Sequence, residues 1–270
     1  MRLPDYHTHT VRCGHARGTP SEYVACAQAA GLLAIGCADH LPLLPEPDPE
    51  LAMGACELED YVAEVKELQS RLPGFVLLGI EADYRPDTIV EVRALLDSRP
   101  FDYVIGSVHH LGDWGFDDPR QIDRYESADI DAMWAEYFEL VGDAAETGLF
   151  SIIGHLDLVK KFGHRAARPL EAELERLLAR LAAAGVAVEI NTAGLHKPVG
   201  EAYPSPAILR KLRKAGVPIT FGSDAHRPEE VGRDFAHAVG LARAAGYDSF
   251  AVLVPDPDGG RARLTQAPFA

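Results

Sequence analysis

Near the start of the sequence, Asp5-Tyr6-His7-Thr8-His9-Thr10 places two histidines one residue apart. In an extended strand alternate side chains share a face, so His7 and His9 can reach one point together. Two imidazoles converging on a point is metal-ligand geometry. An isolated H-x-H is more often a pair of surface histidines, but this pair keeps company. His15, His40, Glu81, His109, His155, Asp224 and His226 each fall beside an expected strand end. A set of histidine, aspartate and glutamate suits two or three divalent cations, with Zn, Mn and Fe equally open. Glutamate is the natural bridge between two of them, because its two oxygens can hold two ions. Such a cluster suits hydrolysis of a phosphate ester, lowering the pKa of a bound water and neutralising attacking and leaving oxygens.

The elements that must position these groups alternate between short apolar runs and longer amphipathic ones. Thr19-Pro20-Ser21-Glu22 combines an N-cap, a proline at the first helical position and a capping-box glutamate. It predicts a helix to about Ala30, closed by Gly31. Leu32–Ala38 reads as a strand ending on Asp39-His40, and 41–54 as an acidic, proline-rich loop. A helix over Glu57–Leu72 leads to a strand over Phe75–Ile80 that ends on Glu81. Thr88–Ser98 is helical, Phe101–Ser107 is a strand running to His109-His110, and 111–127 is a polar loop. A helix over Ile130–Thr147 precedes the short strand Phe150–Ile153, which runs into Gly154-His155. The pattern repeats with helix Leu170–Ala184, strand Val186–Ile190 into Asn191, and a helix opened by Ser205-Pro206 and closed by Gly216. Strand Val217–Phe221 runs into Gly222-Ser223-Asp224. A helix from Pro228 to Ala245 and a strand over Ser249–Val254 follow, and the tail beyond Pro255 reads as irregular. Strand–helix alternation throughout predicts parallel βαβ units in one α/β domain over residues 1–270. Polar groups at nearly every strand end favour a seven-stranded β/α barrel over an open sheet, which would draw on fewer strands.

Composition narrows the partners. The chain has 270 residues, 47% hydrophobic and 25% charged, as an ordinary soluble domain does, and no apolar run spans a bilayer. No signal-peptide core precedes His7, so a cytoplasmic location is expected. A formal net charge of -15 argues against nucleic acid as a partner. An anionic small molecule is not excluded, since cations can supply the positive field. A homo-oligomer is left open. Cys13, Cys26, Cys37 and Cys56 form no C-x-x-C pair and read as reduced thiols, with Cys13 packed under the first loop.

The motifs taken together resemble a known family. H-T-H-T, C-G-H, A-D-H-L-P, G-I-E-A-D, S-V-H-H, G-H-L-D-L and G-S-D-A-H occur in this order over nearly the whole chain. They resemble the polymerase and histidinol phosphatase (PHP) superfamily. The segments around Asp102–His109, Gly154–Phe162 and Asn191–Leu195 are similar to its histidinol-phosphate phosphatase branch. The resemblance implies a distorted seven-stranded barrel with up to three metals. One would be held by His7, His9, Glu81 and Asp224, and a second by Glu81, His109 and His155. A third would use His15, His40 and His226. Glu81, Asp224 and His226 are the catalytic candidates, and the implied reaction is dephosphorylation of L-histidinol phosphate by a metal-bridging hydroxide attacking phosphorus in line. Phosphate needs further cationic clamps. Lys160 and Lys161 follow the His155 strand, His196 and Lys197 follow the Asn191 strand, and Arg17 lies in the first loop. Related sequences often carry arginine where His196 stands, and histidine cannot fork onto phosphate as arginine does.

Three histidines remain outside these sets. His110 reads as a support behind His109, while His164 and His237 read as surface residues. Asp39, Asp83 and Asp157 are placed to orient neighbouring imidazoles. Competing readings are a phosphoesterase for a nucleotide or other small phosphomonoester, a catalytically silent metal-binding module, and an amidohydrolase-like barrel. The last would want a lysine bridge where this chain has Glu81.

Overall fold

The alternation is realised as a ring of short parallel strands inside a layer of helices, in a computed structural model that describes residues 1–256 and 260–269. The strands are β1 (Pro4–Asp5), β2 (Ala34–Cys37), β3 (Val76–Leu78), β4 (Glu81–Asp83), β5 (Ile105–Ser107) and β6 (His110–Leu111). They continue with β7 (Trp114–Gly115), β8 (Ile152–Ile153), β9 (Ala187–Asn191), β10 (Ile219–Gly222), β11 (Ser249–Val254) and β12 (Arg263–Pro268). The helices are α1 (Pro20–Ala29), α2 (Leu58–Arg71), α3 (Ile89–Asp97), α4 (Ile130–Glu146), α5 (Glu171–Ala184), α6 (Pro206–Ala215) and α7 (Phe235–Ala244).

β1, β2 and β3 pair in parallel, and so do β4, β5, β8, β9 and β10. Two seams join these sheets into one ring. Past β2, Glu81 N donates to Asp39 O (3.0 Å) and Leu41 N to Glu81 O (2.7 Å). Past β1 and β10, Tyr6 N donates to Phe221 O (3.2 Å) and His9 N to Ala225 O (2.8 Å). β3 and β4 then form one strand interrupted at Gly79-Ile80, and the ring has the expected seven positions. It is distorted where the Tyr103 ring crosses the interior. A Cβ at Gly36 would lie 1.8 Å from the Tyr103 Oη, and one at Gly79 would lie 2.2 Å from its Cζ, so only glycine leaves room. The Tyr103 hydroxyl donates to Tyr6 O at 2.5 Å.

Two packed layers follow from this ring. Outside it, helix faces such as Leu174, Leu177, Leu178 and Leu181 of α5 pack with strand residues into the main apolar core. Inside it, Tyr6, Ala34, Leu77, Ile105, Ile152 and Ala187 fill the N-terminal half together with Ala251, Leu253 and Ala262. The last three come from the β11–β12 segment, an antiparallel hairpin that seals this end of the barrel. The tail expected to be irregular therefore contains β12; its burial does not alternate cleanly, which hid it from a period-two reading.

Two further expectations change. The helix expected from Pro228 to Ala245 is a single turn over Pro228–Glu230, a break, and then α7. Gly232 (φ 68°) and Asp234 (φ 62°) adopt left-handed backbone there, which a continuous helix forbids. The loop over 111–127 contains the β6–β7 hairpin and a 3₁₀ turn over Pro119–Ser127, opened by Arg120 N donating to Asp118 Oδ1 (2.8 Å). The four cysteines are free. No helix among the described residues is long and apolar enough to cross a membrane.

Candidate metal centre

The C-terminal ends of the ring strands converge on Glu81, the buried first residue of β4. Its two oxygens face different partners. Oε2 lies 3.1 Å from His7 Nε2, 3.3 Å from His9 Nε2 and 3.1 Å from His40 Nδ1. Oε1 lies 3.0 Å from His155 Nε2 and 3.6 Å from His109 Nε2, and accepts from Ser107 Oγ at 2.5 Å. Asp224 Oδ1 approaches His9 Nε2 at 3.2 Å and His7 Nε2 at 3.8 Å. Toward the mouth, His226 Nε2 lies 2.9 Å from His15 Nε2. All nine residues expected as metal ligands thus meet in one cluster.

The donor set fits cations. His7 Nε2, His9 Nε2 and Glu81 Oε2 are buried, face one another and have no hydrogen-bond partner. Buried polar atoms are rarely left so, and an ion between them would satisfy all three. Burial, reinforced by the neighbouring His226, pushes His9 down to about 3. Burial likewise takes His40 to about 3 and His226 to about 4, outweighing the pull of Glu81 and Asp224. These imidazoles are neutral at pH 7 and keep a lone pair for a metal. For His7 the lowering effect of burial is outweighed by Glu189, Glu81 and Asp224, which hold it well above its ordinary value. His109 is raised to about 10 because Asp83 and Asp117 outweigh burial. A cation bound here would take over from protons the balancing of these buried carboxylates.

A second layer fixes the rings. Both Glu189 oxygens lie 2.9 Å from His7 Nδ1, and Oε1 accepts from His155 N (2.7 Å) and Asn191 Nδ2 (2.9 Å). A Cβ at Gly222 would come 2.2 Å from Glu189 Oε2, so glycine there lets the carboxylate reach His7. Asp83 holds His109 Nδ1 (2.5 Å), the support role expected of it, and also His110 Nδ1 (3.2 Å), whose ring lines the cavity instead of backing His109. Asp39 instead accepts from Thr10 N (2.7 Å) and Thr10 Oγ1 (2.6 Å), pinning the strand end after His9. Glu189 was missed by sequence reasoning, although a carboxylate between Val188 and Ile190 in a strand buried throughout is itself a signal.

The cluster floors an open cavity of about 890 Å³, whose walls include Lys161, His196, Lys197, Arg227 and Arg233. Lys161 Nζ reaches Asp117 O (2.7 Å) and Oδ2 (3.0 Å), and His196 Nε2 lies 2.6 Å from Asp234 Oδ2. Arg227 and Arg233 were not singled out by sequence. Two expected clamps do not reach the cavity. Arg17 is exposed outside its lining. Lys160 is fully buried on the far side of its turn, its ammonium drawn inward by Glu201 Oε2 (2.7 Å), Ala202 O (2.8 Å) and Asp157 Oδ2 (3.1 Å). This contact also takes Asp157 away from any imidazole. His164 stacks on Tyr125 with ring centroids 4.2 Å apart, and His237 sits exposed on α7. Lys160→Met should therefore cost about 3–5 kcal/mol of stability, since it strands the buried Asp157 carboxylate. Denaturant unfolding checks this, and KM of the folded fraction should stay within about two-fold because no substrate contact is lost.

A parallel barrel with a His/Glu/Asp cluster at its C-terminal strand ends defines a class, the metal-dependent hydrolases. The PHP domain model matches residues 5–193, and the PHP-associated model matches residues 208–240. A "Probable histidinol-phosphatase" of Deinococcus radiodurans is 46% identical over 246 residues, covering 90% of this chain and 94% of the relative. The "Histidinol-phosphatase" of Bacillus subtilis is 29% identical, covering 86% and 96%. The crystal structure of histidinol phosphate phosphatase from Lactococcus lactis, complexed with Zn, L-histidinol and phosphate, superposes with a TM-score of 0.79. It is 26% identical and covers 97% of this chain and 99% of its own. This chain belongs to the PHP-domain family of histidinol-phosphatases.

Proposed function

We propose that this chain hydrolyses L-histidinol phosphate to L-histidinol and phosphate as a metal-dependent, single-domain cytoplasmic enzyme of histidine biosynthesis. The observation that carries the reading is Glu81, whose two oxygens face two separate histidine sets at the floor of the cavity. His7, His9, Glu81 and Asp224 would hold one cation, Glu81, His109 and His155 a second, and His15, His40 and His226 a third. When bound, such cations acidify water and neutralise charge on phosphate oxygens. The Lactococcus lactis complex favours Zn.

The chain's own residues do the positioning. Glu189 and Asp83 fix the tautomers of His7 and His109, so that Nε2 of each faces Glu81. Asn191 Nδ2 lies 3.3 Å from Asp224 Oδ2 and steadies that carboxylate at the end of β10. The wall cations Lys161, Lys197, Arg227 and Arg233 favour an anionic ligand above the cluster. Glu81, Asp224 and His226 line the cavity as well as the cluster, which supports their catalytic assignment. A cavity of about 890 Å³ has the volume of a small-molecule site.

The test is phosphate release from histidinol phosphate, several nucleotides and an aryl phosphate, with metal content assayed on the same sample. We expect kcat/KM for histidinol phosphate to exceed the others by about a hundred-fold or more, the discrimination of a site built to pair with polar groups. Equal low rates across the panel by metal-loaded protein would reject this substrate while leaving the chemistry standing.

A further inference from the structure

Arg120 forms a strap between the two long loops at the cavity mouth. Its Nη1 lies 2.7 Å from Glu50 Oε2 and its Nη2 2.7 Å from Asp48 Oδ2, both on the 41–54 loop. Its Nε lies 3.0 and 2.9 Å from the two oxygens of Asp118, on its own loop. A single exposed ion pair contributes little, but one planar guanidinium held by three carboxylates fixes geometry as well as charge.

The strapped loop touches the cluster. Glu50 O lies 3.0 Å from His15 Nδ1, and Cys13 O lies 2.9 Å from the same nitrogen. With two carbonyls as its only neighbours, Nδ1 carries the proton and Nε2 presents its lone pair toward His226. Cys13 is two residues away in sequence, so at Nδ1 it is Glu50 that ties the ring to a distant part of the molecule, while Nε2 faces His226. The neighbouring Pro49 carbonyl lies against Gly14, where a Cβ would come within 2.0 Å of its oxygen. His15 is exposed, whereas His40 and His226 are half-buried. Its orientation rests on these hydrogen bonds and on the facing His226 ring, whose centroid is 4.7 Å away.

We propose that Arg120 is a positioning residue for the cation held by His15, His40 and His226, acting through Glu50 on the His15 imidazole. The proposal rests on the three-cation reading above. Its effect is on metal retention at the mouth; because Arg120 also lines the cavity, the test separates this effect from a contact with substrate.

The experiment is zinc titration of the apo chain by equilibrium dialysis with elemental analysis, alongside steady-state kinetics, for Arg120→Ala, Arg120→Lys, Glu50→Gln and His15→Ala. Arg120→Ala should weaken the most loosely held zinc about ten-fold and leave the tighter zinc in place, as loss of a support behind a metal ligand does. Arg120→Lys should fail to restore it, because an ammonium cannot fork onto both loops. Glu50→Gln should move binding in the same direction, and it serves if Arg120→Ala does not fold. Unchanged zinc binding with a raised KM would make Arg120 a substrate contact and overturn the proposal, provided His15→Ala loses a zinc. If His15→Ala keeps every zinc, the third site itself falls and the strap with it.

Discussion

Glu81→Gln should lower kcat/KM about a thousand-fold or more and strip metal from the protein. The amide keeps the shape of the carboxylate and its contact with Ser107 Oγ. It loses the anionic oxygen that His7, His9 and His40 surround, and it cannot bridge two cations. A thousand-fold is about 4 kcal/mol of transition-state stabilisation, the scale expected of metal-supplied charge neutralisation. Metal analysis and phosphate release on the same preparation check it. Full metal occupancy with near-unchanged turnover would remove Glu81 from the bridging role.

Metal removal should have the next largest effect, and it should reach beyond the chemistry. Chelation is expected to abolish turnover and to lower the melting temperature by about 10 °C, with both restored by added zinc. Binding at about a thousand times Kd contributes about 4 kcal/mol, and each kcal/mol moves Tm by about 2–4 °C in a chain of this size. The physical reason lies in the cluster: Glu81, Asp224 and the imidazoles of His7, His9 and His40 are held close together with unpartnered atoms among them. Calorimetry with and without chelator reads this directly. An unchanged melting temperature in protein verified to be metal-free would mean that the cluster is satisfied without cations.

Much of this site was legible in the sequence because ligand type and strand position coincide. Glu81 and Asp224 stand where an apolar run stops, so chemistry and topology gave the same answer. Glu189 failed that criterion: it sits inside β9 and faces the interior above the closing hairpin. Lys160 and Lys161 show the opposite limit. Adjacent in sequence and identical in type, they point to different sides of one turn, and only packing separates the buried ion pair from the cavity wall. The break before α7 was signalled by Gly232, but a lone glycine is tolerated inside a helical pattern, and Asp234 gives no warning of its own left-handed backbone. Arg233, beside that break, was lost from view with it.

The β11–β12 hairpin has a consequence for traffic. It corks the barrel with Ala251, Leu253 and Ala262, and Leu253 N donates to Tyr6 Oη at 2.9 Å, next to the first histidine of the cluster. Among the described residues the large cavity opens above Glu81, away from this cork, so phosphate ester and both products are expected to pass the same cationic wall on the way in and out.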